Sequence, residues 1–237
     1  MPNPYFSFKQ FTVYHHLCAM KVGIDGVLLG AWADVTSAKS ILDVGTGSGL
    51  IALMLAQRCN ASITAIDIEP NAVLQAEENV GLSPWKDRVK VLEVSLQDFS
   101  VPEDEKFDLI VSNPPYFVNS LKNPDAERLS ARHVTDLTHE YLLEKSLQLL
   151  KKTGRICLIL PVNEAESLIR FSLSTDIRCL KKVFVVPKPN AEPKRILLEF
   201  GYDNDTCEIS QIQIETGNRH EYTPEFTALA KDFYLKL

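Results

Sequence analysis

Residues 41–49 read ILDVGTGSG. Ile41-Leu42-Asp43-Val44 is a short apolar run that predicts a buried strand, and Leu50 to Gln57 then carries a helical pattern. Between them, Gly45, Gly47 and Gly49 stand at alternate positions. Glycines placed between a strand and a helix let another molecule approach the backbone and let the helix start against it. Outward from this stretch the chain keeps alternating. Ser62–Ile68 reads as a second strand, and Asn71–Val80 as a helix behind Pro70, a residue suited to a first turn. Arg88–Val94 and Lys106–Ser112 are further strands. His139–Leu150 is a helix that Gly154, after Lys151-Lys152-Thr153, is expected to stop. Arg155–Leu160 is a fifth strand and Val162–Leu173 a helix. Ile177–Val186 and Lys194–Tyr202 form a closing strand pair around Pro187-Lys188-Pro189-Asn190. Strands alternating with helices predict an α/β fold: a mostly parallel sheet with helices on both faces, right-handed connections and an antiparallel edge strand.

A chain of 237 residues suits one large domain, or one domain with a small annex. No apolar run reaches membrane-spanning length, and the start MPNPYFSFKQF lacks a basic region followed by an apolar one. No membrane and no signal peptide are therefore expected. The five cysteines are odd in number and show no C-x-x-C spacing, which predicts free, mostly buried thiols in a reducing cytoplasm. His15 and His16 are adjacent and cannot both face one site on a regular element, so a surface pair and no metal set is expected. The net charge of −6 weighs against a nucleic-acid partner, but its distribution matters more. Residues 41–112 hold 5 Lys/Arg against 12 Asp/Glu, so the acid excess sits in one segment. From Arg178 to Arg195, six bases face Glu192 alone. A local basic stripe on an acidic protein can bind phosphates, and a solvated loop is the other reading.

Two further features carry chemistry. A glycine loop of this kind calls for a carboxylate about 20 residues on, to hold ribose hydroxyls, and Asp67 stands there in Ala65-Ile66-Asp67-Ile68. The spacing G-x-G-x-G departs from G-x-G-x-x-G, which counts against a dinucleotide, and Asp43 ahead of the loop suits a cationic ligand better than a phosphate. The second feature is Ser112-Asn113-Pro114-Pro115-Tyr116 at the end of an apolar strand. Two prolines supply no backbone N–H, so the ladder must stop, and each pushes its predecessor into extended geometry. The result is a stiff strand exit that fixes the Asn113 side chain and the Pro114 carbonyl, with Tyr116 just beyond. A loop that merely contains prolines is the alternative.

The combination resembles the class I S-adenosylmethionine-dependent methyltransferases, over roughly residues 40–202. That resemblance implies a Rossmann-like, seven-stranded sheet whose last strand is antiparallel. It implies that Gly45, Gly47 and Gly49 approach the methionine part of the cofactor and that Asp43 orients it. Asp67 would take the ribose hydroxyls, Ile68 would pack on the adenine, and Asp98 would bond its amino group, although Asp98 also reads as a turn residue. In this family an N-P-P-Y motif ends the fourth strand beside the transferable methyl, which makes Asn113, Pro114, Pro115 and Tyr116 the catalytic set. The residue types suit the task. A nitrogen on a planar π-system is a poor nucleophile because its lone pair is delocalised. The Asn113 oxygen and Pro114 carbonyl can each accept one of its N–H bonds and stabilise the charge that develops on it. Tyr116 offers a flat face for stacking.

Residues ahead of the glycine loop narrow the resemblance. Phe8-Lys9-Gln10-Phe11 and Cys18-Ala19-Met20-Lys21-Val22-Gly23-Ile24-Asp25-Gly26-Val27-Leu28-Leu29-Gly30-Ala31-Trp32 look like the bacterial tRNA adenine-N6 methyltransferases, which modify the adenine at position 37, next to the anticodon of a valine tRNA. Ile24 stands where that family usually has threonine. The likeness implies a loop and helix over the cofactor pocket, with Asp25 or Gly26 near the methionine end and Val27–Trp32 in the core. Guanine-N2 methylation of ribosomal RNA, glutamine methylation of release factors, and a non-catalytic assembly factor are the alternatives. The release-factor enzymes carry a sizeable helical domain where this chain has only about 40 residues. A tRNA partner, no protein partner and a cytoplasmic location are expected. Lys181, Lys182, Lys194 and Arg195 are the expected phosphate contacts. Lys122, Arg128 and Arg132 lie in the polar stretch 118–136, which is expected to close over the base. The whole chain reads as one domain: an extension over residues 1–39, a core over 40–202 and an annex over 203–237.

Overall fold

The computed structural model describes residues 3–114, 138–203 and 206–237. Strands β1 (Tyr5–Ser7) and β2 (Thr12–Tyr14) form a small hairpin. The framework is an eight-stranded sheet made of β3 (Ser40–Val44), β4 (Ser62–Asp67), β5 (Val89–Glu93), β6 (Phe107–Ser112), β7 (Leu150–Pro161), β8 (Arg178–Val186), β9 (Arg195–Gly201) and β10 (Glu208–Gln213). Its order is β10-β8-β9-β7-β6-β3-β4-β5. The helices are α1 (Ile24–Trp32), α2 (Leu50–Arg58), α3 (Pro70–Gly81), α4 (His139–Leu149), α5 (Val162–Ser172) and α6 (Pro224–Ala230).

The central strands are apolar on both faces because both faces are covered. Ile41, Ile63, Leu109, Cys157, Ile159 and Leu197 point to one side, where α1, α2, α6 and the N-terminal hairpin pack. Leu42, Ile110, Ile156, Leu158 and Leu198 alternate to the other, under α4 and α5. Phe8, Phe226 and Phe233 draw the two ends of the chain into the first of these layers. The Lys9 backbone N–H donates to Phe233 O at 2.8 Å, and its ammonium donates to Lys231 O at 2.6 Å. Extension, core and annex thus share one apolar layer. No described helix is long and apolar enough to cross a membrane.

The expected α/β sheet is present, with three differences. It has eight strands rather than seven, because β10 from the annex pairs in parallel with β8. The antiparallel strand is not at an edge. β9 runs between β7 and β8, antiparallel to both: the chain turns back from β8 over residues 187–194 and pairs with β8 on one side and β7 on the other. Gly154 does not stop α4. The chain passes from Leu149 directly into β7, and Gly154 lies inside that strand. A Cβ there would stand 2.6 Å from Leu150 Cδ1, so crowding rather than a left-handed turn explains the glycine. The histidine pair also differs: His15 is buried and bonds Asn3 O through Nε2 at 3.0 Å. All five cysteines are free, with Cys157 and Cys179 buried and the other three half-exposed.

Close packing of α1 on α2 depends on two glycines. A Cβ on Gly30 would meet Met54 Cβ and Sδ at 2.9 Å, and one on Gly26 would meet Leu50 Cδ2 at 3.0 Å. Gly30→Val should therefore destabilise the fold by about 1–3 kcal/mol through overpacking, read as a lower urea midpoint. An unchanged midpoint would show that α1 can move away from α2 without cost.

Candidate active site

In the parallel sheet the exits of β3, β4, β6 and β7 share one edge, and the antiparallel β9 begins there, with Arg195 opposite Pro161 and Val185. The glycine loop rises from β3 and leans on the exit of β4. Gly45 and Thr46 N–H groups donate to Ile66 O at 2.9 and 3.0 Å, and Gly47 N–H donates to Asp67 Oδ2 at 2.8 Å. Three successive N–H groups are thus used within the fold, whereas a pyrophosphate site would aim them outward. Gly45 and Gly47 have φ of 68° and 56°, and a Cβ on either would meet nothing within 4 Å. Open space therefore lies directly over this backbone. Gly49 differs: it is buried, its φ is 79°, and a Cβ would touch Ala76 of α3 at 3.4 Å. It starts α2 and packs on α3.

Asp43 is fully buried. Its Oδ2 accepts from Thr46 Oγ1 at 2.6 Å and from Ala52 N at 3.1 Å. Its Oδ1 is buried with no partner among the described residues. Burial pushes its carboxyl up to about 7, against the two hydrogen bonds, with the Asp67 charge adding to the rise. Asp67 itself, 20 residues past Gly47, takes one N–H on each oxygen, from Gly47 and from Glu69 at 3.0 Å. Each oxygen keeps a further lone pair for a hydroxyl.

Two polar residues that the sequence pattern placed only on a helix prove central here. Gln75 and Asn79, one turn apart on α3, are buried. Asn79 Nδ2 donates to Tyr14 O and Ser48 O, both at 2.8 Å, while its Oδ1 accepts from Tyr14 N at 2.9 Å. Gln75 Oε1 accepts from Leu17 N at 3.2 Å. Together they tie the N-terminal segment to α3 and, through Ser48, to the glycine loop. The same segment carries Cys18, whose thiol is pushed up to about 11 by burial and by the Asp67 carboxylate. The sequence signal was available: two amides at i and i+4 among Ala72, Ala76 and Val80, on a face that must be buried.

Ser112 ends β6 and donates to Val44 O at 2.8 Å, which locks the exits of β6 and β3 together. Asn113 follows at once; its Oδ1 is buried and has no partner among the described residues. Pro114 is buried beside it. Pro115, Tyr116, Lys122, Arg128 and Arg132 lie outside the described residues. Asp25 sits in the first turn of α1, next to Gly26 on Leu50, and its Oδ2 accepts from Arg195 Nε at 2.9 Å. Arg195 is thus joined to Asp25 at this edge. Ile68 is exposed just past β4. Asp98 is exposed in a turn and accepts from Ser95 Oγ at 2.6 Å.

The basic stripe is not contiguous. Lys181 and Lys182, successive on β8, point to opposite faces. Lys181 pairs with buried Glu199 at 3.2 Å, and Lys182 pairs with Glu166 of α5. Both lie well back from the β8 exit, Lys181 by roughly 16 Å of strand. Lys188 and Lys194 are exposed in the turn between β8 and β9. Among the described residues no group of His, Cys, Asp and Glu could hold a metal ion.

A family model described as "Methyltransferase small domain" matches residues 21–175. The chain is 52% identical over its whole length to a Phocaeicola vulgatus protein, itself wholly covered, named tRNA1(Val) (adenine(37)-N6)-methyltransferase. Proteins of the same name from Parabacteroides distasonis and Trichodesmium erythraeum are 51% and 45% identical, with 100% and 98% of each chain covered. The chain belongs to this methyltransferase family. Among solved structures, a predicted O-methyltransferase of Agrobacterium tumefaciens is similar with a TM-score of 0.64 at 19% identity, covering 88% of this chain and 96% of that one. Pyrococcus horikoshii TYW2 in complex with MeSAdo has a TM-score of 0.58 at 15% identity, covering 83% and 69%. At these identities the likeness speaks for the fold. The methyltransferase has the features a cationic nucleoside cofactor needs: room over Gly45 and Gly47, and a buried carboxylate oxygen at Asp43 with no described partner.

Two outcomes follow from this geometry. A buried acid whose folded pKa is raised stabilises the fold most below its unfolded pKa, near 4, and loses that contribution as pH rises through about 7. Relative to Asp43→Asn, the wild type should therefore lose on the order of 3 kcal/mol between pH 4 and pH 8, as measured by urea unfolding at both. A pH-independent difference would place an ionised carboxylate there throughout. Asn79→Ala strands the Tyr14 and Ser48 backbone groups. It should cost about 1–3 kcal/mol and speed hydrogen exchange at Tyr14 and Leu17; protection equal to wild type would sever the link from α3 to this segment.

Proposed function

We propose that the protein transfers the methyl group of S-adenosylmethionine to the exocyclic N6 of the adenine at position 37 of a valine tRNA. The observation that carries this reading is Asn113: a buried amide oxygen with no described partner, at the exit of β6, one strand from the glycine loop. The full-length identity to enzymes of that name supports the choice of base and tRNA. The cofactor, when bound, supplies an electrophilic methyl on a sulfonium centre. Asp43 and the open faces of Gly45 and Gly47 would hold its cationic end, and Asp67 the ribose hydroxyls. Ile68 would cover the adenine face and Asp98 would reach the adenine amino group. Asp25, fixed by Arg195, would close the methionine side from α1.

Asn113 Oδ1 and the Pro114 carbonyl accept the two N–H bonds of the target amine. That orients its lone pair and stabilises the positive charge that grows on nitrogen. Because both acceptors sit on a stiff strand exit, little reorganisation is needed as the charge develops. Tyr116 stacks on the flipped base and the proton departs to solvent. Lys122, Arg128, Arg132 and exposed Lys194 take tRNA phosphates. Lys181, Lys182 and Arg195, already paired with carboxylates, contribute little to that contact. The three segments work as one domain, in the cytoplasm where tRNA is found.

Mass spectrometry of nucleosides from tRNA incubated with the protein and labelled S-adenosylmethionine should show label in N6-methyladenosine; label in a methylguanosine would redirect the reading. Asn113→Ala should lower methyl transfer on the order of 100-fold while calorimetric affinity for the cofactor stays within about twofold. Equal losses in both quantities would make Asn113 a cofactor ligand instead.

A further inference from the structure

Two thiols at the far side of the sheet have no part in the chemistry above. Cys179 lies in β8 and is buried; Cys207, half-exposed, immediately precedes β10. Their Sγ atoms are 3.6 Å apart. A disulfide requires about 2.05 Å, so closure asks for a shift of roughly 1.5 Å, within reach of side-chain rotation and slight strand movement. The strand pairing around the two thiols is irregular on one side and open on the other. The β8–β9 register slips between Cys179 and Lys181, and β10 is an edge strand paired only with β8. The other three thiols are placed differently: Cys18 lies beside Asp67, Cys59 bonds Leu55 O, and Cys157 is buried against Glu199.

We propose that Cys179 and Cys207 are a disulfide-forming thiol pair that reacts with low-molecular-weight disulfides and staples β10 to β8. The half-exposed Cys207 is the thiol a reagent can reach. Its thiolate attacks one sulfur of the reagent, forms a mixed disulfide and expels one reagent thiolate. Cys179 then loses its proton and attacks Cys207 Sγ, which expels the second reagent thiol. Two protein thiols are oxidised, one reagent disulfide is reduced to two thiols, and no other oxidant is needed. The burial that holds the Cys179 thiol well above its usual range protects it from direct attack. Its sulfur nevertheless stands next to the sulfur it must meet. The bond would close a loop from residue 179 to residue 207 and fasten the annex where it joins the core.

The test exposes the native full chain to oxidised glutathione, then alkylates it and measures intact mass. The expected product is about 2 Da lighter than the reduced protein, with three alkylatable thiols left of the five and a single Cys179–Cys207 link in a non-reducing digest. Its melting temperature should rise on the order of 5 °C, and amides of β10 should exchange more slowly. Cys207→Ser and Cys179→Ser should each abolish the light product, while Cys59→Ser should not. A stable glutathione adduct on Cys207 without closure, five alkylatable thiols after exposure, or a link between other cysteines would each overturn the proposal.

Discussion

A carboxylate buried at the end of the central strand is the constraint on which this molecule turns. Asp43 cannot reach water, so its charge must be met by the protein or given up. The chain meets part of it locally: Thr46 and Ala52 both donate to one oxygen. Those two bonds also fix the sharp path from β3 through the loop into α2. The other oxygen has no described partner and faces a demand that a cation would answer. Its carboxyl consequently titrates at about 7, where a cationic ligand and a proton compete for the same site. The feature that shapes the loop is therefore the feature that gives it a ligand preference. An anion would find no welcome, since the loop's own N–H groups already bind the exit of β4.

The reversed strand β9 has a comparable reach. By returning between β7 and β8 it brings its first residue, Arg195, to the edge where the parallel strands end. There the guanidinium meets Asp25, 170 residues earlier in the chain. Because both side chains are largely shielded from water, removing either partner would leave an uncompensated charge and cost more than breaking a surface bridge. Farther along the same strand, Glu199 is buried in the sheet and is met by Lys181 and the Cys157 thiol. Lys181, Lys182 and Arg195, neighbours in a basic stretch of the sequence, are thus each paired in three dimensions with a buried or half-buried acid.

The N-terminal segment shows how an extension is tied to α3 and, through it, to the glycine loop. Between Tyr14 and Gly23 only His15 is buried, so this stretch has little core packing to hold it in place. Its backbone is held instead by the amides of Gln75 and Asn79, and Asn79 also bonds the glycine loop at Ser48. The cost of burying those amides is offset because nearly every polar atom of Asn79 is bonded.

Residue types alone sufficed to read the alternation of strands and helices, the glycine loop, the acid 20 residues beyond it and the end of a strand at Ser112. These are local: each depends on residue types within one strand and its following turn, and physical chemistry restricts what such stretches can do. The sequence also carried, in the segment from Cys18 to Trp32, enough likeness to indicate the family. The remaining features depend on contacts between distant parts of the chain. Insertion of β9 between β7 and β8 depends on edge-strand pairing energies that no local pattern encodes. The extra strand β10 has mostly exposed residues and no buried face to announce it. The partners of Arg195, Lys181 and Lys182, and the three bonds of Asn79, are meetings of residues far apart in the chain. Charge and amide groups look alike along a sequence whether they face water or each other, and only the packing that removes the water settles which.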